Sequence, residues 1–173
     1  MKFEAIFIGE KNPDWFSALI QWWQSLVKDE PINFSHAAIL VNGAVVYDSI
    51  ERGVGKYSLE AALDHGKCVI RERYELPVIR DCCALTWLER SQGVPYPQAW
   101  QLAGHFFPKL WRSKSFADGR RSASCSEYLS NFIHDMTSFP KHYFNKGDRI
   151  KPVDARDRLR RLIGPSRAKP GGE

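Results

Sequence analysis

The sequence predicts an α+β fold in which a small antiparallel sheet packs on a helix that begins at Cys125. Three observations carry this. Asn42-Gly43, the preferred dipeptide of a tight two-residue turn, joins two arms rich in apolar and β-branched residues, 34–41 and 44–50. Ser124-Cys125-Ser126-Glu127 has the form of a capping box and opens a segment with apolar residues at 128, 129, 132, 133 and 136, one helical face. Strand-like and helix-like segments are otherwise mixed, with no internal repeat, and that mixture excludes an all-α or all-β architecture.

Length and composition set the frame. The 173 residues, 43% hydrophobic and 26% charged, belong to a globular chain that can bury a core without disulfides or a structural metal. The reading is one domain over 1–163 and a flexible tail over 164–173, where two prolines and three glycines break any apolar period. The longest purely apolar run is Ala37 to Val41, far short of the roughly 20 residues of a membrane-spanning helix. The first residues are too short a run and too acidic for a signal peptide, so the expectation is a cytoplasmic product. Net charge is +5, with much of the excess late, between 149 and 169. A solvated basic tail explains this, and an anionic polymer is the sharper alternative. No zinc-finger spacing or RNA-binding aromatic signature accompanies the charge, so nucleic acid is not an expected partner.

In chain order, residues 3–8 read as a first strand. Asp14 caps a helix from Trp15 to Val27, whose three tryptophans are expected in the core, partial exposure being the mark of a docking surface. The hairpin follows. Ser58 to His65 reads as a short Ser-capped helix stopped by Gly66, Cys68 to Arg73 as a strand, and Asp81 to Ser91 as a helix. Gly93-Val94-Pro95-Tyr96-Pro97 is a rigid loop, Gln98 to Phe107 a helix, and Lys114 to Ser124 a surface loop. The Cys125 to Met136 helix, a loop over 139–148 and a basic helix from Asp154 to Ile163 complete the chain.

Four cysteines are present, Cys68, Cys82, Cys83 and Cys125. There is no C-x-x-C, and the five histidines do not cluster with cysteines, so neither a metal nor any other cofactor is expected. Cys68, Cys82 and Cys83 read as small buried hydrophobes. Cys125 differs. It takes the first position of a capped helix and lies on the apolar face, where the helix terminus favours a thiolate and the free amides of the first turn can hold an oxyanion. These are the needs of a nucleophile, and a nucleophile needs a base. His36 opens an otherwise apolar strand at the sheet end. His65, His105, His134 and His142 have no comparable setting and read as surface or satisfied core residues. Counting outward from Asn42-Gly43 brings Asp48 beside His36. A regular register puts it on the opposite face, and one extra residue puts the two directly opposite on the same face, with Glu51 as the fallback acceptor.

Together these segments resemble a known family. Ser35-His36-Ala37-Ala38-Ile39, Asn42-Gly43 and Val45-Val46-Tyr47-Asp48 resemble the His-strand hairpin of NlpC-type papain-like cysteine hydrolases, in which a third polar residue follows the histidine by twelve positions, as Asp48 follows His36. Gly93-Val94-Pro95-Tyr96 resembles the family's G-x-P-Y segment, and Cys125-Ser126-Glu127-Tyr128-Leu129 the opening of its nucleophile helix. The order His36, Asp48, Cys125 is that of the circularly permuted, YiiX-like branch, and Gly53-Val54 before the Ser58 helix fits it too. The 28 residues between Tyr96 and Cys125 form a longer insertion than the main family has.

The resemblance implies a papain-like fold and a Cys125–His36–Asp48 triad, with Tyr96 at the oxyanion. The implied reaction is hydrolysis of an amide or peptide bond, with peptidoglycan peptide as substrate. Without an export signal, delivery in a phage particle beside tail proteins would bring the enzyme to that substrate. Two alternatives stand beside this: a lipid or thioester acyltransferase or hydrolase of the permuted branch, with a deep apolar channel at Cys125, and a non-catalytic assembly module with Cys125 far from His36 or sealed from solvent.

Overall fold

A computed structural model describes residues 1–50, 52–96, 124–144 and 150–164. Five strands form one antiparallel sheet: β1 (Phe3–Glu10), β2 (His36–Val41), β3 (Val45–Ile50), β4 (Gly53–Ser58) and β5 (Cys68–Glu75), in the spatial order β4-β3-β2-β1-β5. The described helices are α1 (Trp15–Lys28), α2 (Leu59–Ala62), α3 (Asp81–Arg90), α4 (Cys125–Met136) and α5 (Pro152–Ile163). The α+β class and the antiparallel hairpin are as the sequence predicts. The helix expected over 98–107 and the loop expected up to residue 123 lie outside the described residues, as does the tail from 165 on.

The two central strands are covered on both faces, which is why β1 and β2 read as nearly continuous apolar runs. Phe3, Ala5, Phe7, Ala37, Ile39 and Val41 face a core shared with Tyr128, Leu129, Phe132 and Ile133 of α4. Ile6, Ile8, Ala38, Leu40 and Val46 face a smaller cluster roofed by Leu59, Ala62 and Leu63. The Phe3 and Phe132 rings meet at 6.0 Å, and those of Phe7 and Tyr74 stand edge to face at 5.8 Å. Small Ala37 on β2 leaves α4 room to lie along the strand.

Several expectations are corrected. β4 is not legible in the sequence, because Gly53 and Gly55 suppress the apolar alternation that marks a strand. Gly53 sits at φ +94°, and a Cβ there would lie 2.6 Å from the Val94 carbonyl oxygen. That close approach lets Val54 N donate to Val94 O and Gly93 N to Val54 O, pairing the Gly93-Val94 segment with the sheet edge. The helix expected from Ser58 to His65 is shorter: Ser58 caps α2, which passes at Asp64 into a 3-10 turn. Cys82 and Cys83 are exposed at the start of α3 rather than buried, and Cys68 is half-buried.

The tryptophan helix is the largest departure. Asp14 caps it as expected, accepting from Ser17 N at 2.7 Å. Yet Trp15 and Trp22 face outward, not into the core, because polar residues of α1 have the inward work. The basic last helix is likewise not a solvated strip. Arg156 is buried against the Phe34 ring and ion-pairs with Glu30, Glu72 and Asp157. Lys28 of α1 bridges Asp154 and Asp157 at 2.8 Å each.

Leu129 has no exposed surface and lies where α4 meets the sheet. Leu129→Ala is expected to cost about 2–5 kcal/mol by leaving a cavity under α4. Urea unfolding measures it, and a loss under about 1 kcal/mol would show that α4 is not a core element.

Candidate active site

Cys125, the candidate nucleophile, is positioned by local chemistry at the start of α4. Ser124 takes extended backbone, its Oγ accepts from Glu127 N, and Glu127 Oε2 accepts from Ser124 N at 2.9 Å. This is the reciprocal capping box that the sequence predicts. It uses two donors at the helix start and leaves the amides of Cys125 and Ser126 without a partner among the described residues. Ser126 Oγ donates to Ile150 O, tying the same turn to the chain entering α5. Tyr128 Oη meets Ser91 Oγ at 2.9 Å and anchors the next turn to the end of α3. Burial pushes the Tyr128 phenol far above its ordinary range, with the neighbouring Asp48 charge adding to the effect.

His36, the candidate base, is positioned by the close crossing of two chain segments. A Cβ on Gly9 would lie 2.0 Å from Asn33 O, so only glycine lets the segment entering β2 pass that near to β1. Ser35 N then donates to Ile8 O, and β2 begins at His36, opposite Ile8.

The hairpin register decides whether Asp48 can reach the ring. Asn42 and Gly43 both have positive φ, 51° and 72°, and Ala44 N donates to Val41 O, so the tight turn forms as predicted. The regular register does not follow. Val41 pairs with Val45, and Ala44 is an extra residue outside the ladder. Its carbonyl instead accepts from Leu59 N at 2.8 Å, the first amide of α2. The extra residue shifts Asp48 onto the face of His36, but diagonally across the hairpin rather than directly opposite, because Val41 pairs with Val45. Asp48 Oδ1 lies 2.6 Å from His36 Nε2. Glu51, the fallback, lies outside the described residues.

With Nε2 engaged by Asp48, Nδ1 is the ring nitrogen left for the thiol, and the Cys125 side chain lies close enough to the imidazole to help raise its pKa. The three predicted catalytic residues are therefore brought together from β2, β3 and the N-terminus of α4. Burial pulls the imidazole pKa down. The Asp48 carboxylate, the nearby sulfur of Cys125 and the hydrogen bond to Asp48 outweigh it, so His36 titrates well above its ordinary 6.5. Asp48 is buried, Cys125 exposes only 5% of its surface, and the His36 side chain 24%. The surface of the site among the described residues is thus mainly imidazole.

Tyr96 is half-buried at the edge of the described chain, two residues beyond the Val94 that pairs with β4. That pairing holds the Gly93-Val94 segment at the sheet end where Ser49 and Ile50 face Val54 and Gly53. Residues 97–123, which would complete this side, lie outside the described residues. Sequence reasoning misses Gly55 and Tyr57. Gly55 stands opposite Asp48, and a Cβ there would lie 2.4 Å from the Tyr57 hydroxyl, which folds over it. Their placement follows only from β4, which no local pattern announces. No group of three or more His, Cys, Asp or Glu among the described residues could hold a metal ion.

Comparison of the chain with protein-family models, with curated proteins and with solved structures finds no match in any of the three.

The His36 shift has a signed consequence for stability. The unfolded imidazole loses its proton near pH 6.5, and the folded one well above that. Stabilisation from the charged His36–Asp48 pair is therefore whole below the unfolded value and is lost as pH rises through the folded one. The melting-temperature advantage of the parent over Asp48→Asn is expected to be largest below pH 6.5 and to shrink as pH rises well above it. An advantage that stays flat over that window would show that the folded ring carries no extra proton.

Proposed function

We propose that this chain is a cysteine hydrolase of papain-like architecture, in the permuted NlpC-like branch, cleaving an amide or peptide bond through an acyl-enzyme. One observation carries the reading: a single imidazole is hydrogen-bonded to a buried carboxylate and has a cysteine at a helix N-terminus beside it. Chance burial of a cysteine does not require an oriented base beside it.

The chemistry follows from the geometry. His36 takes the Cys125 proton through Nδ1, and Asp48 at Nε2 stabilises the imidazolium. The thiolate attacks the amide carbonyl carbon, and the new oxyanion lies against the unpaired first-turn amides, with the Tyr96 hydroxyl proposed as a further donor. The imidazolium gives its proton to the leaving amine as the C–N bond breaks, and a thioester remains on Cys125. Water then gives its proton to His36 and attacks the thioester, which releases the acid and restores the thiol–imidazole pair.

Resemblance supports a substrate class, the peptide of bacterial peptidoglycan, and the +5 charge is of the sign that an anionic envelope attracts. Carriage in a phage particle beside tail proteins is the matching route of delivery. Both are part of the proposal and follow from the motif resemblance.

Two measurements test it. Cys82 and Cys83 are exposed, so they serve as internal controls for alkylation by iodoacetamide. His36→Ala is expected to slow labelling of Cys125 by about tenfold or more while leaving Cys82 and Cys83 unchanged. Equal slowing of all three, or of none, would remove His36 as the base. On peptidoglycan fragments, Cys125→Ala and His36→Ala are expected to abolish release of new amine, and Asp48→Asn to lower turnover by about ten- to a thousandfold. Amine release by Cys125→Ala equal to that of the parent would overturn the mechanism. His36-dependent labelling with no amine released would keep the nucleophile and overturn the substrate.

A further inference from the structure

Helix α1 is amphipathic in the inverted sense. Its inward side is polar and engaged. Gln24, 1% exposed, donates to Phe34 O at 3.1 Å and accepts from Val153 N at 3.0 Å. Ser17 Oγ donates to Glu10 Oε1, Ser25 Oγ accepts from Ile32 N, and Lys28 reaches Asp154 and Asp157. Its outward side is apolar: Trp15 is 77% exposed, Leu19 46%, Trp22 58% and Leu26 62%. These four positions recur at helical spacing and form one stripe about 16 Å long. Four large apolar side chains left in water, while polar ones are tied inward, mark a face that is covered in use.

We propose that this stripe seats α1 flat in the interfacial layer of an anionic phospholipid bilayer. Area argues against a second copy as the occupant. Burying the whole stripe against its symmetry mate would cover roughly 1,000 Å² in total, under the roughly 1,200–2,000 Å² of a stable specific dimer. Two helices in contact would bury only part of that, whereas a bilayer surface takes the stripe entire. Charge points the same way. Lys11 lies just before the helix, and Lys151 stands over the Trp23 ring at 5.9 Å. Neither is in an ion pair among the described residues. Of the carboxylates on and beside the helix, Glu10 and Asp14 accept hydrogen bonds at its first turn, Asp29 stands at its far end, and Glu30 is paired with Arg156. The whole chain is +5. Two such chains repel, and an anionic headgroup layer attracts each of them. Indole rings suit the boundary layer, with an apolar body toward the acyl chains and an N–H toward water. No helix of the described residues is long and apolar enough to cross a membrane, so the contact is one of lying on the surface. α1 takes no part in the Cys125 chemistry, and the two proposals stand or fall separately.

Flotation of the full chain with vesicles tests this, comparing pure phosphatidylcholine with a mixture containing phosphatidylglycerol. The parent is expected to float with the anionic vesicles. Trp22→Ser with Leu26→Ser, both outward and outside the core, should weaken this by about tenfold or more at unchanged melting temperature. Lys11→Gln with Lys151→Gln should weaken it a few-fold, and only on the anionic mixture. A parent chain that floats with neither vesicle overturns the proposal, as does a double serine variant that floats as well as the parent. A sedimenting dimer of the parent that the serine variant dissolves would give the stripe to a second copy and overturn it too.

Discussion

The burial of α4 against β1 and β2 is the constraint on which the site depends. Tyr128, Leu129, Phe132 and Ile133 can be buried only if the helix lies along the strand that carries Ala37 and Ile39. That same placement puts the N-terminus of α4 at the end of the sheet where β2 begins with His36. One apolar contact thus sets the depth of the core and the position of the thiol. Cavity formation under α4 would move both together, since interiors of this density transmit a change in volume to their neighbours. The capping box adds direction: it fixes which residue stands first on the helix, and that residue is Cys125.

A second constraint is subtler, because it turns on one residue in a turn. Ala44 is surplus to the β2–β3 ladder, and a slip of one residue carries every later side chain of a strand to the other face. Without it Asp48 would face away from His36. What holds the surplus residue in place is remote in sequence: the first amide of α2 donates to the Ala44 carbonyl. The carboxylate bonded to His36 is therefore placed by a hydrogen bond from a helix of a single turn that looks like mere connection.

The charges of the chain also take their meaning from distant partners. A basic run near the end of the chain suggests a solvated or polymer-binding tail. In the fold, Arg156 and Arg160 are held by Glu30 and Glu72, and Arg160 also meets the Tyr74 phenol, whose titration burial pushes far up. These pairs lock α5 across the sheet and α1. The net +5 is real, yet several of the cations that make it are paired within the fold. The apolar residues of α1 show the converse, since they read as core and stand among the most open in the described chain.

Short-range chemistry was enough to determine part of this protein. The capping box, the helical face behind Cys125, the Asn42-Gly43 turn and the Asp14 cap need only neighbours within a few residues, and all four are present in the fold. The α+β class follows from them, as does the candidacy of Cys125, His36 and Asp48. Tertiary structure decided the rest. β4 is illegible because Gly53 answers to the Val94 carbonyl, a contact made across space, and not to any local alternation. The face of Asp48 depends on a partner for Ala44 that no local pattern names. Which side of α1 points inward depends on Phe34 and Val153 offering backbone groups that Gln24 can satisfy, and an unsatisfied buried amide costs more than an exposed indole. Hydrophobic pattern predicts that a helix has two sides. Only the set of polar groups it meets decides which of them is buried.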